Sequence, residues 1–104
     1  MHAFFINAQA KEITAVALDE GLASIRRLIG FDSVDSDEID SNGDRLFFDE
    51  ACFIREQKGA GRFRLDTLPP VSGSGVVVGS RNDGAELVDV QVSLAALQKR
   101  VQFL

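Results

Sequence analysis

Residues 3–18 read AFFINAQAKEITAVAL, and this stretch decides the fold. Two runs rich in apolar and β-branched residues, Ala3 to Ala8 and Ile13 to Leu18, are separated by the polar joint Asn7-Ala8-Gln9-Ala10-Lys11. Short apolar runs joined in this way predict an opening β-hairpin. Directly after it, Leu22, Ile25, Leu28 and Ile29 recur at helical spacing and make one apolar stripe. Asp19 stands where a helix cap is expected, Gly30 supplies a left-handed stop, and Arg26 and Arg27 fall in the last turn, where the helix dipole favours cations.

The same alternation of runs and turns continues along the chain. Ser41-Asn42-Gly43-Asp44 separates the polar segment from Asp32 to Asp40 from the apolar run Leu46-Phe47-Phe48. Asn-Gly between two extended runs is a strong hairpin signal, because both residues tolerate positive φ. Phe63 and Leu65 alternate with Arg64 and Asp66, and Pro69-Pro70 closes that strand. Val76-Val77-Val78 reads as a strand buried on both faces. Arg81-Asn82-Asp83-Gly84 is a further turn, and Leu87, Val88, Val90 and Val92 form the return strand. Ser93 caps a last helix with Leu94, Leu97, Val101 and Leu104 along one side. The expected architecture is therefore one α+β domain over residues 1–104. It is a mainly antiparallel sheet built from three hairpins, with two short helices packed on one face.

Composition narrows the classes of function. The chain has 104 residues and a net charge of -5, with eight Phe and neither Trp nor Tyr. Phe packs without a polar tip, so this inventory favours a core over a recognition surface. A net negative charge repels nucleic acid, and direct binding to it is not expected. No apolar run approaches the roughly 20 residues of a membrane span. The single Cys52 excludes an internal disulfide, and the start carries no signal-peptide pattern, which together predict a cytoplasmic protein.

Charge is segregated along the chain. From Asp32 to Glu50 there are eight carboxylates against Arg45 alone, a net of -7. From Ala51 to Arg64, the bases Arg55, Lys58, Arg62 and Arg64 stand against Glu56, a net of +3. Within the acidic segment, Glu38, Asp40, Asn42 and Asp49 approximate the spacing of a calcium loop around Gly43. Oxygen ligands about a sharp turn suit Ca²⁺. However, Glu stands for the first Asp, Asp for the terminal Glu, and the flanks read as strands. An Asn-Gly hairpin with a solvated acidic arm is the competing reading.

No catalytic constellation is legible, and no cofactor is implied. His2 is the only histidine and lies at the terminus. Cys52 follows Asp49 and Glu50, which oppose thiolate formation, and Phe53-Ile54 beside it suggests burial. The pairs Gly59-Ala60-Gly61 and Gly73-Ser74-Gly75 lack the Lys-Ser/Thr of a phosphate loop and precede strands. Interaction surfaces remain: the acidic Asp35, Asp37 and Asp40, the basic Arg62 and Arg64, and the seam Leu97 and Val101 of the last helix. That seam offers a homodimer contact, although packing on the domain's own sheet is the ordinary fate of such a helix.

Four segments together carry a family resemblance: FFINAQAKEITAVALD (4–19), RRLIGF (26–31), LFFDEACF (46–53) and VVVGSRNDGAELVDV (76–90). In these the chain resembles a family of small bacteriophage and mobile-element proteins, domain of unknown function 3846. The resemblance implies an accessory role in a bacterial cytoplasm and carries over no catalytic residues. The leading expectation is thus a non-enzymatic interaction domain of phage or mobile-element origin with a protein partner. An acidic protein of this kind can imitate DNA phosphates. The alternative is a small-molecule or divalent-metal-binding domain using the acidic 38–49 loop or a pocket between sheet and helix.

Overall fold

A computed structural model of the chain describes residues 1–54 and 59–104. The opening hairpin is present: β1 (His2–Asn7) pairs antiparallel with β2 (Glu12–Ala17), with Asn7 opposite Glu12. Helix α1 (Leu22–Ile29) ends at Gly30, whose φ of 90° supplies the left-handed stop. Its start departs from expectation. Gly21, not Asp19, precedes the helix, and no side chain caps it. Ser24 Oγ instead accepts the Glu20 N–H at 2.9 Å, so the entry turn is closed from inside the helix.

Next come β3 (Val34–Glu38), β4 (Arg45–Asp49), β5 (Arg62–Leu65), β6 (Val71–Ser72) and β7 (Ser74–Arg81). They are followed by β8 (Glu86–Val88), α2 (Leu94–Arg100) and β9 (Val101–Phe103). The main sheet runs β2-β1-β7-β4-β3, with β8 added to the far end of β7; a second sheet runs β6-β5-β9. Every strand pair among the described residues is antiparallel. The α+β class with mainly antiparallel sheet therefore holds.

The pleat of the main sheet sorts the core into two layers, because successive side chains point to opposite faces. Ala3, Phe47, Val76 and Val78 pack with Ile25 and Ile29 of α1. Ile6, Leu46, Phe48 and Val77 pack with Phe63 and Leu65 of the small sheet and Leu97 of α2. The expectation that both helices lie on one face is thus corrected. Val76, Val77 and Val78 are each fully buried, so each face of β7 needs its own cover: α1 on one side, and the small sheet together with Leu97 of α2 on the other. Gly75 on β7 gives Phe63 room, since a Cβ there would lie 2.7 Å from the Phe63 ring tip.

Two more expectations change. The return strand stops at Val88. Beyond it the Val90 N–H bonds the His2 carbonyl at 2.9 Å, and residues 91–92 turn to the 39–44 loop. The last helix does begin at Ser93, whose hydroxyl accepts the Ala96 N–H at 3.1 Å. It ends at Arg100, however, so Val101 and Leu104 are not on a helix. Val101 pairs with Leu65 and Phe103 with Phe63. Continuing the helix would leave β5 with β6 as its one remaining neighbour.

Candidate functional site

The acidic segment folds as the hairpin β3–β4, with Glu38 opposite Arg45 and Val34 opposite Asp49. The connection is a six-residue loop and not a two-residue turn: Asn42 keeps negative φ, and only Gly43 is left-handed, at 101°. The loop is held to the body of the protein. Gly43 lies so close to β7 that a Cβ would fall on the Ser80 carbonyl, and the Ser80 hydroxyl donates to the Gly43 carbonyl. Asp44 is fully buried and accepts the backbone N–H groups of Gln91 at 3.0 Å and Val92 at 2.8 Å.

The metal expectation for Glu38, Asp40, Asn42 and Asp49 meets a different set of partners. Both oxygens of Asp40 are taken by Arg100, at 2.9 and 3.1 Å, and the same guanidinium binds Asp66 at 2.6 Å. These carboxylates, Asp66 first, hold Arg100 even more firmly protonated than usual. Glu38 faces Arg45 at 3.9 Å, the Asn42 side chain accepts the Asp44 N–H, and buried Asp49 accepts the Ala51 N–H at 3.1 Å. Among the described residues, no group of three or more His, Cys, Asp or Glu is placed to hold a metal ion. Much of the acidic run is therefore a structural clasp.

The expected interaction residues are dispersed. Arg62 and Arg64 are exposed on the outer face of β5, and Arg64 donates to Gln102 at 3.0 Å. Arg55 and Lys58 lie outside the described residues. Leu97 is fully buried in the chain's own core and Val101 belongs to β9, so the two do not share the one-sided helical seam that the spacing predicts. Burial, and secondarily Asp49, push the Cys52 thiol up, away from the reactive thiolate. His2 is exposed, with its backbone N–H on Asp89 at 2.8 Å. The sheet–helix depression is about 410 Å³, lined by Val16, Ala17, Asp19, Ser24, Arg27 and Leu28. In it the Ser24 hydroxyl accepts the Glu20 N–H and, at 3.2 Å, an Arg27 N–H.

The two edges of the main sheet, β2 and β3, differ. In an antiparallel ladder, residues alternate between those bonded to the neighbour and those whose N–H and C=O point away. Met1 and Leu18 exchange both bonds, at 3.1 and 2.9 Å, which places Val16, Thr14 and Glu12 in the inward class. Ile13, Ala15 and Ala17 therefore direct their backbone groups to the open side of β2. Among the described residues, no hydrogen bond reaches that side. Apart from Glu12 at its start, the strand carries no charge, Pro or bulge, the devices that usually protect an edge.

The opposite edge is covered at its centre. Glu50 N–H to Ser33 and Ile39 N–H to Asp44 set the ladder parity, so Val34, Ser36 and Glu38 face outward from β3. At the central residue, Asp35 accepts the Ser36 N–H at 2.8 Å, while Arg45 reaches across to the Ser36 hydroxyl at 3.0 Å and carbonyl at 3.4 Å. Asp35 is thus a cap on its own strand's edge, and half-buried Asp37 sits opposite Leu46. Beside β2, a groove of about 520 Å³ is lined by Lys11, Glu12, Ile13, Thr14, Gln98, Val101 and Phe103. Sequence reasoning missed Ile13, Ala15 and Ala17 as site residues. The available signal was the uncharged run from Ile13 to Leu18.

No family model, no curated protein and no solved structure matches this chain. No helix among the described residues is long and apolar enough to cross a membrane.

Proposed function

We propose that the protein is a non-enzymatic interaction domain that works by accepting an extended strand along the free edge of β2. The contrast between the edges carries this reading. The central residue of β3 has both backbone groups occupied by the chain's own side chains, whereas Ile13, Ala15 and Ala17 on β2 have no partner on their open side among the described residues. In strand addition, main-chain bonds supply affinity, and pockets for alternate side chains supply selectivity. The groove beside β2, with half-buried Ile13, Val101 and Phe103, is the pocket available to such side chains. An accessory role in a phage or mobile-element setting belongs to the same proposal and rests on the sequence resemblance alone.

The test is a titration of the isotope-labelled full chain with two peptides, followed by backbone amide NMR. One copies residues 11–19 and the other is an unrelated extended peptide alternating Val and Thr. Strand addition predicts shifts and slowed exchange at Ile13, Ala15 and Ala17. The reading fails if neither peptide moves a β2 amide and these three N–H groups exchange freely at every protein concentration.

A further inference from the structure

Resting on that reading, we infer that the strand taken by β2 is β2 of a second copy of this chain, paired antiparallel about a two-fold axis through Ala15. An axis relating two antiparallel edge strands stands perpendicular to the sheet. It maps each face onto itself, so paired residues must share a face. Centring on Ala15 places Ala15 opposite Ala15 and Ile13 opposite Ala17, all of them residues with outward backbone groups. Each such pair exchanges two hydrogen bonds, and every free group of the edge is used. Centring on Thr14 would match Ala17 with Lys11, whose φ of 56° takes it out of the extended strand.

Side chains and charge agree with the same register. Thr14 meets Val16 on the α1 side, while Ile13 meets Ala17 on the groove side. Glu12 is the only charge within β2; it comes opposite Leu18, well away from the other Glu12. Lys11 at the turn comes to the end where Asp19 of the second copy stands, and both are exposed. A self-complementary patch of this kind is isologous and closes on itself. The assembly stops at two because the outer edges of the joined sheet are then the two β3 strands, capped at Ser36 by Asp35 and Arg45.

Sedimentation of the full chain between about 1 µM and about 1 mM tests this, a range that brackets dissociation constants from micromolar to millimolar. The expected result is a mass rising from 11.3 kDa to twice that value. Ala15→Lys, at an exposed position, sets like charges face to face on the axis and should weaken the dimer about tenfold or more. Lys11→Asp should also weaken it, and adding Asp19→Lys should restore it. Circular dichroism of each variant checks that the monomer is folded. A dimer indifferent to Ala15→Lys and to the charge swap overturns the inference. So does a chain that stays monomeric across the range while its β2 still takes strand peptides, and in that case the interaction reading stands. A monomeric chain with a silent β2 sinks both.

Discussion

Replacing Asp44 with Ala should cost this protein about 3 kcal/mol of folding stability. The carboxylate is fully buried and receives two backbone N–H groups, from Gln91 at 3.0 Å and Val92 at 2.8 Å. A hydrogen bond to a charged group is worth about 1.5–3 kcal/mol, so two set a ceiling near 6 kcal/mol. Gln91 is exposed and Val92 half-buried, so water can reach part of the orphaned backbone, which brings the expectation down to about half that ceiling. Such a loss is a large share of the roughly 5–15 kcal/mol typical of a domain. The assay is urea unfolding followed by far-ultraviolet circular dichroism, because a chain with no Trp or Tyr gives little intrinsic fluorescence. The midpoint should fall with unchanged slope. Asp44→Asn, which keeps the shape but sets an amide N–H₂ against one of the donors, should fall in between. If Asp44→Ala unfolds within about 0.5 kcal/mol of the parent, the range of ordinary surface substitutions, the clasp account of the acidic loop is wrong.

Three further outcomes follow from the same geometry. Gly43→Ala should destabilise by about 1–3 kcal/mol in the urea assay, since it combines an unfavourable positive φ with a Cβ on the Ser80 carbonyl. The hydrogen bonds from Arg81 hold Glu86 below the usual carboxylate range. Their stabilisation is present above the ordinary Glu value and is lost as pH falls through the depressed one. Thermal melts of Glu86→Gln and parent should therefore differ at neutral pH and converge in acid. Cys52, buried and with its thiol pushed up, should react with a thiol reagent far more slowly in the native chain than after unfolding, and equal rates would contradict its placement.

The hairpins were legible because alternation, Gly and Pro are local signals. Val76, Val77 and Val78 announced a doubly buried strand, and Ser93 announced a helix start. Layer assignment was not legible, because which helix covers which face of β7 depends on non-local packing. The Leu94-to-Leu104 stripe misled for a related reason. Its spacing suits a helix, but β5 needs Val101 and Phe103 as a strand, and that tertiary demand overrides a local pattern. The carboxylates of the acidic segment looked like a ligand set because sequence shows the acids and not their partners. Arg100 lies sixty residues beyond Asp40, and the amides that hold Asp44 come from residues 91 and 92. The free edge was hidden for the same reason: β2 is as apolar as a central strand, and only the sheet order places it at the rim.

Residue-resolved amide exchange on the full chain, in dilute and in concentrated solution, tests most directly the central claim that the open edge of β2 pairs with β2 of a second copy. The account predicts that Thr14 and Val16 exchange slowly in both, bonded inward to β1. Ile13, Ala15 and Ala17 should exchange rapidly when dilute and slowly when concentrated. Rapid exchange of those three at both concentrations, or slow exchange of them and rapid exchange of Thr14 and Val16, would contradict it.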